Sequence, residues 1–391
     1  MRLSVLAVFA LPIPLLACRF DFDPVPATPK DAPLLPCGSP PEFSLVAPPG
    51  AGSGSAAVTL SALAVTASDP GYELFAVDGT GAVHGYSFGF DGPQLVMDTA
   101  NAPVFSDASG AIAAVETPDG PLAAIEHGQT NPDGTALVPL DAQLAPRAAL
   151  QTSLAWLSLD SALAVTTGGE IAFLGAQNSG GAVAKRVSSA GADLGASHLV
   201  AEVAEGVSVA TIAPAAAGYL VTWTSTAPTV NLVRAEILDS NLSVVVPPTT
   251  INPNPMFDGD SPRAGYAASA GLFLIAWSFK TSNSDELWVS LRDGQLAEQH
   301  AIRLSMHGVQ PRVVAGKDDF LVAWKDNSGD MPSGLAAARV GFDGSFDSLV
   351  VAGSGGKAAG WDLATRAGQP ALVWIETSAS TVALRLDPLC N

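Results

Sequence analysis

Charge is scarce in this chain, and positive charge scarcest. Charged side chains are 14% of the 391 residues, with 18 Lys plus Arg against 37 Asp plus Glu, a formal net charge of −19. Such an acidic surface repels phosphate backbones, which argues against nucleic acid as a partner. With so few charges, Ser, Thr, Asn, Gly and Ala must cover much of the exterior. Cysteine occurs only at Cys18, Cys37 and Cys390, and no two have the spacing of a zinc site. The histidines (His84, His127, His198, His300 and His307) have no carboxylate and nucleophile at a recognisable spacing. Gly-x-Ser-x-Gly, His-Glu-x-x-His and a phosphate-cradling Gly-Lys-Ser/Thr loop are all missing. The run Gly353 to Lys357 is followed by Ala358 and lacks the phosphate-loop spacing.

What the chain does have is a repeat. FLVAW ending at Trp324 returns as FLIAW ending at Trp277, YLVTW ending at Trp223 and PALVW ending at Trp374. Weaker copies end at Phe173, Ile125 and Val77. The anchors 77, 125, 173, 223, 277, 324 and 374 are spaced by 48, 48, 50, 54, 47 and 50. A second feature keeps the same count. A turn motif of the form Asp-x-x-Leu/Phe reads Asp141-Ala-Gln-Leu144, Asp239-Ser-Asn-Leu242, Asp293-Gly-Gln-Leu296 and Asp343-Gly-Ser-Phe346. Looser versions are Asp91 to Leu95, Ala190-Gly-Ala-Asp-Leu194 and Asp387-Pro-Leu389.

The anchor runs are short, β-branched or aromatic, and bounded by Gly, Asp, Asn and Ser, which is the pattern of strands. Asp-Gly after an apolar run signals a hairpin, because the turn needs residues that tolerate positive φ. About fifty residues per unit hold four strands and their turns. A helical solenoid is excluded, because 38 Gly and 30 Pro would break it repeatedly. The repeats resemble seven-bladed β-propellers, so the expected fold is all-β, with seven four-stranded antiparallel blades. The tryptophan–aspartate, kelch and sialidase signatures are not matched.

The expected blades are 56–103, 104–152, 153–204, 205–254, 255–306, 307–355, and 356–390 plus 42–48. Their first strands are Ala- and Gly-rich (SALAVTA at 61–67, AIAAVET at 111–117, PRVVAG at 311–316), and small residues let inner strands crowd an axis. Trp223, Trp277, Trp324 and Trp374 are expected to pack between blades. The last unit lacks a fourth strand, and FSLVA at 43–47 resembles SLVVA at 348–352. The N-terminal strand is therefore expected to complete the last blade.

Residues 1–17 read as a leader, with Arg2, an apolar run and Ala17 before Cys18. Leu15-Leu16-Ala17-Cys18 resembles the lipobox of bacterial lipoproteins. That resemblance implies lipid on Cys18, a membrane anchor and a location in the cell envelope, on the outer membrane or periplasmic face. Residues 18–41 are Pro-rich and read as an extended tether to the propeller at 42–391. Cys37 and Cys390 then remain as a pair for a disulfide that holds the ring shut.

Oxygen-rich loops stand out in two repeats: Asp258 and Asp260, Asp285 and Glu286, His307, and Asp326 and Asp330. On a propeller they would share one face. Asp258, Asp260, Asp326 and Asp330 are candidate calcium ligands, since that ion wants six to eight oxygens, while Asp285 and His307 are candidate binding residues. Such residues are also ordinary turn formers. No catalytic residue is assigned. The expected function is a monomeric, non-enzymatic binding or scaffold module for a protein or glycan partner. The alternative is a propeller enzyme, a glycan hydrolase or lyase using the loop carboxylates.

Overall fold

The computed structural model describes residues 42–44 and, apart from short stretches at loops, residues 60–387. Among the described residues the strands pair into seven sheets, each a four-stranded antiparallel array, one with a fifth short strand, Phe105–Ser106. The architecture is an all-β propeller of four-stranded antiparallel blades. We number the sheets 1 to 7 by their first strands: Leu60–Ala67, Ala108–Thr117, Leu163–Val165, Val207–Ala215, Asp258–Ala267, Gly308–Ala315 and Lys357–Arg366. Each first strand packs against that of the next sheet, and the strand of sheet 7 packs against that of sheet 1. Sheet 7 receives its outermost strand from the other end of the chain. Glu42–Ser44 pairs antiparallel with the strand Val382–Asp387, with Glu42 opposite Arg385 and Ser44 opposite Ala383.

The core is a series of clusters, each shared by two consecutive sheets. Trp223 of sheet 4 is buried with Leu174, Ala182 and Ala184 of sheet 3. Trp277 joins Leu220 and Val233 of sheet 4, and Trp324 joins Leu287 and Val289 of sheet 5. Trp374 packs with Leu321 and Ala337 of sheet 6. The repeated tryptophans thus seal the gaps between sheets, where burying one large side chain contributes several kcal/mol, on the order of 3–5 lost on truncation.

The Asp-x-x-Leu motif has a single geometric meaning in sheets 2, 4 and 5. Oδ1 of Asp141 accepts the backbone N–H of Gln143 and Ala145, each at 2.9 Å. Asp239 and Asp293 do the same for the residues two and four positions on. The leucine then sits in the left-handed region, with φ of 60° at Leu144, 65° at Leu242 and 59° at Leu296. A non-glycine residue there is strained. Burial compensates: the three leucines are 0%, 3% and 1% exposed, wedged against the preceding sheet.

Two copies of the motif lie elsewhere than the sequence pattern suggests. In sheet 3 the turn is Ser188 to Gly191, with Ser188 Oγ accepting Ala192 N–H and Gly191 at φ 78°. In sheet 6 it is Gly341 to Gly344, with φ 83° at Gly344. Leu194 and Phe346, which end the motif in the sequence, are exposed on outer strands. Where glycine takes the left-handed position the strain disappears, and so does the wedge.

Candidate functional site

The oxygen-rich loops of sheets 5 and 6 do share one end of their sheets. Asp258 pairs with Lys280, and Lys280 with Asp285, so the three occupy one row of sheet 5. In sheet 6 the matching row is Gly308, Asp326 and Gly334. The two rows are stitched together. Asp285 forms a parallel bridge with His307, and the His307 carbonyl accepts Asn327 N–H at 2.7 Å. Asn327 Nδ2 lies 3.5 Å from Asp285 Oδ2. Asp285, His307, Asp326 and Asn327 therefore come together at the rim between the two sheets. Glu286 is held beside them by Trp288 Nε1 at 2.9 Å and Arg303 at 3.2 Å.

The carboxylates here behave as turn acceptors. Asp260 Oδ1 takes Ser261 N–H at 2.7 Å, and Ser261 has φ 52°. Asp326 Oδ1 takes Ser328 N–H at 3.0 Å. Of Asp258 only the backbone is described, and Asp330 lies outside the described residues. Among the described residues no group of three or more His, Cys, Asp or Glu side chains is placed to hold a metal ion. The lipidation candidate Cys18 and the pair Cys37 and Cys390 also lie outside the described residues.

Perturbed acids lie elsewhere. Burial, and then the charge of Glu116, push the Glu73 carboxyl up to about 8. Burial alone pushes Glu116 up to about 7. Both leave one carboxylate oxygen buried without a hydrogen bond, which favours the neutral acid. They sit where the first and second strands of sheets 1 and 2 turn, Glu73 opposite Thr66 and Glu116 opposite Pro121. Asp78 goes the other way. Burial raises it, but hydrogen bonds from Thr80, His84 and Ala82 outweigh that and hold it at about 2. His84 Nε2 lies 2.8 Å from its Oδ2.

Sequence reasoning passed over three residues on the axis, Arg263, Arg312 and Asp362. The signal was available: they recur at steps of 49 and 50, one repeat apart, and both arginines follow proline. In the structure they face Ala276, Ala323 and Val373, each one residue before a tryptophan anchor, so all three stand at one level of the ring.

No protein-family model and no curated protein sequence matches the chain. Solved structures do. The chain is similar to the BP39L lectin from Burkholderia pseudomallei, with a TM-score of 0.57 and 15% identity over 84% of this chain and 95% of that one. It is also similar to BBS1N in a complex with ARL6DN, with a TM-score of 0.52 and 12% identity over 85% of this chain and 94% of that one. At such identities the likeness is one of fold, and the fold it supports is the propeller.

Proposed function

We propose that this protein is a lipid-anchored module of the bacterial cell envelope, whose propeller binds a glycan or protein partner without catalysis. The rim between sheets 5 and 6 carries this reading. Asp285, His307 and Asn327 are fixed there by backbone bridges between the two sheets, which pre-organises polar groups for hydroxyl or amide donors and acceptors. The fold likeness to a lectin supports a glycan as the ligand class, and the likeness to BBS1N, solved in a complex with ARL6DN, supports the other. The test is binding of the full chain to a glycan panel and to envelope proteins. Asp285→Ala and Asn327→Ala should abolish binding and leave the melting temperature nearly unchanged. Polysaccharide hydrolysis lost in Asp260→Ala or Asp326→Ala would replace this reading with the enzymatic one.

The same reading takes the sheets as seven blades of one ring, closed by a disulfide. The strand register supports the pairing. Glu42 faces Arg385, Phe43 faces Leu384 and Ser44 faces Ala383, so partner numbers sum to 427. Cys37 and Cys390 have the same sum. Loop-entropy models assign about 5 kcal/mol to so long a loop. Peptide mapping without reductant should find the two cysteines linked, and two free thiols would remove the clasp. Lipid on Cys18 is tested by acyl mass on the N-terminal peptide and by release from membranes in Cys18→Ala.

A further inference from the structure

The inner strands of all seven sheets line a cavity of about 250 Å³. Its wall is two-sided. Val65, Ala113, Leu163 and Ile212, from sheets 1 to 4, are apolar. Sheets 5 to 7 supply the charged residues Arg263, Arg312 and Asp362. Both arginines are at least nine-tenths buried, at 6% and 9% exposure.

The carboxylate is already committed. Asp362 Oδ2 accepts Val65 N–H at 3.0 Å, its Oδ1 accepts Leu363 N–H at 2.9 Å, and that same Oδ1 lies 3.5 Å from Arg312 Nε. Arg312 is oriented further by the Trp361 ring, 4.8 Å from its guanidinium carbon, and by the Pro311 carbonyl. Arg263 donates to the Pro262 carbonyl at 2.8 Å. Each guanidinium carries five donors in a planar fork. Two guanidinium groups thus line one side of the cavity, across from the apolar wall, inside a chain whose formal charge is −19.

We infer that the axial cavity is a binding site for a small carboxylate-bearing molecule with an apolar body. The guanidinium fork matches a carboxylate, and the low dielectric of a buried site strengthens that pairing. The facing wall of Val, Ala, Leu and Ile takes the apolar part. Size sets a limit: with about 30 Å³ as water's share of liquid volume, the cavity admits roughly eight to ten non-hydrogen atoms. None of the lining residues belongs to the rim between sheets 5 and 6, so the two sites fail or succeed independently.

Benzoate is a suitable probe and benzamide its uncharged control. Calorimetry and thermal shift on the full chain should show benzoate binding and raising the melting temperature, with benzamide inert. Arg263→Met should weaken benzoate by roughly tenfold to a hundredfold, the worth of a charge-assisted pair. Asp362→Asn, which removes the competing anion, should tighten it. Reading both variants keeps the test decisive if one fails to fold. Equal effects of benzoate and benzamide, effects equalled by inorganic phosphate, or benzoate affinity unchanged in the folded variants would overturn the assignment.

Discussion

Leu144 of sheet 2 lies directly over Gly85 of sheet 1. A Cβ built on Gly85 would come within 3.1 Å of Leu144 Cδ1. The glycine is the socket and the leucine the wedge. Gly85→Ala should lower stability by about 1–2 kcal/mol through overpacking, and Leu144→Ala by about 2–4 kcal/mol through the void it leaves. Together they should cost less than the sum, since shortening the leucine makes room for the new methyl group. Urea unfolding of the four proteins measures the coupling, and strict additivity would contradict the contact.

Glu73 and Glu116 make stability depend on pH. From an ordinary value of 4.5, their folded carboxyls are raised to about 8 and about 7. Between those values the native protein holds protons that the unfolded chain has released. Stability is therefore greatest at the acid end of this window and falls as pH rises towards 8. Melting temperatures from pH 5 to 8 should fall in the wild type. They should fall less in Glu73→Gln, which should melt higher than wild type at pH 8.

The turn of sheet 3 uses a serine where sheets 2, 4 and 5 use aspartate. Ser188 Oγ accepts Ala192 N–H at 3.1 Å, whereas Asp239 Oδ1 accepts two N–H groups at 2.8 Å each. Asp239→Ala should lower stability by about 1–2 kcal/mol. Ser188→Asp should raise it by up to about 1 kcal/mol, since one carboxylate oxygen can accept both N–H groups. Denaturant midpoints decide both.

Arg292 ties sheet 5 to the end of sheet 4. Its guanidinium donates to the Ile251 carbonyl at 3.0 Å, the Leu296 carbonyl at 2.9 Å, Ser290 Oγ at 2.8 Å and Glu298 at 2.7 Å. Losing it leaves buried carbonyls without donors. Arg292→Met should cost about 3 kcal/mol, and Arg292→Lys nearly as much, because an ammonium cannot span the fork. Full recovery in the lysine variant would show that charge alone is required.

The periodic part of this structure was readable beforehand because it is written in side chains that recur. Trp223, Trp277, Trp324 and Trp374 mark one strand per sheet, since each fills the same gap. The partnership of the N-terminal strand with sheet 7 was readable because that sheet visibly lacks a strand in sequence. The third turn was misplaced for a physical reason. A backbone needing positive φ accepts either a buried leucine or a glycine, and a pattern built on leucine overlooks Gly191. The axial residues were hidden differently. Arg263, Arg312 and Asp362 are ordinary side chains on three strands, and only the ring brings them to one level.

The pairing of Glu42–Ser44 with Val382–Asp387 also governs how the molecule is made. The strand Glu42–Ser44 finds its partner only after the whole of the intervening chain, up to Val382–Asp387, has been made. A chain ended early, or clipped near residue 380, would leave that opening strand and the inner sheets beside it as raw edges for proteases and aggregation. One three-residue pairing thus waits on every sheet between its two halves: the circle can shut only once Val382–Asp387 has been made.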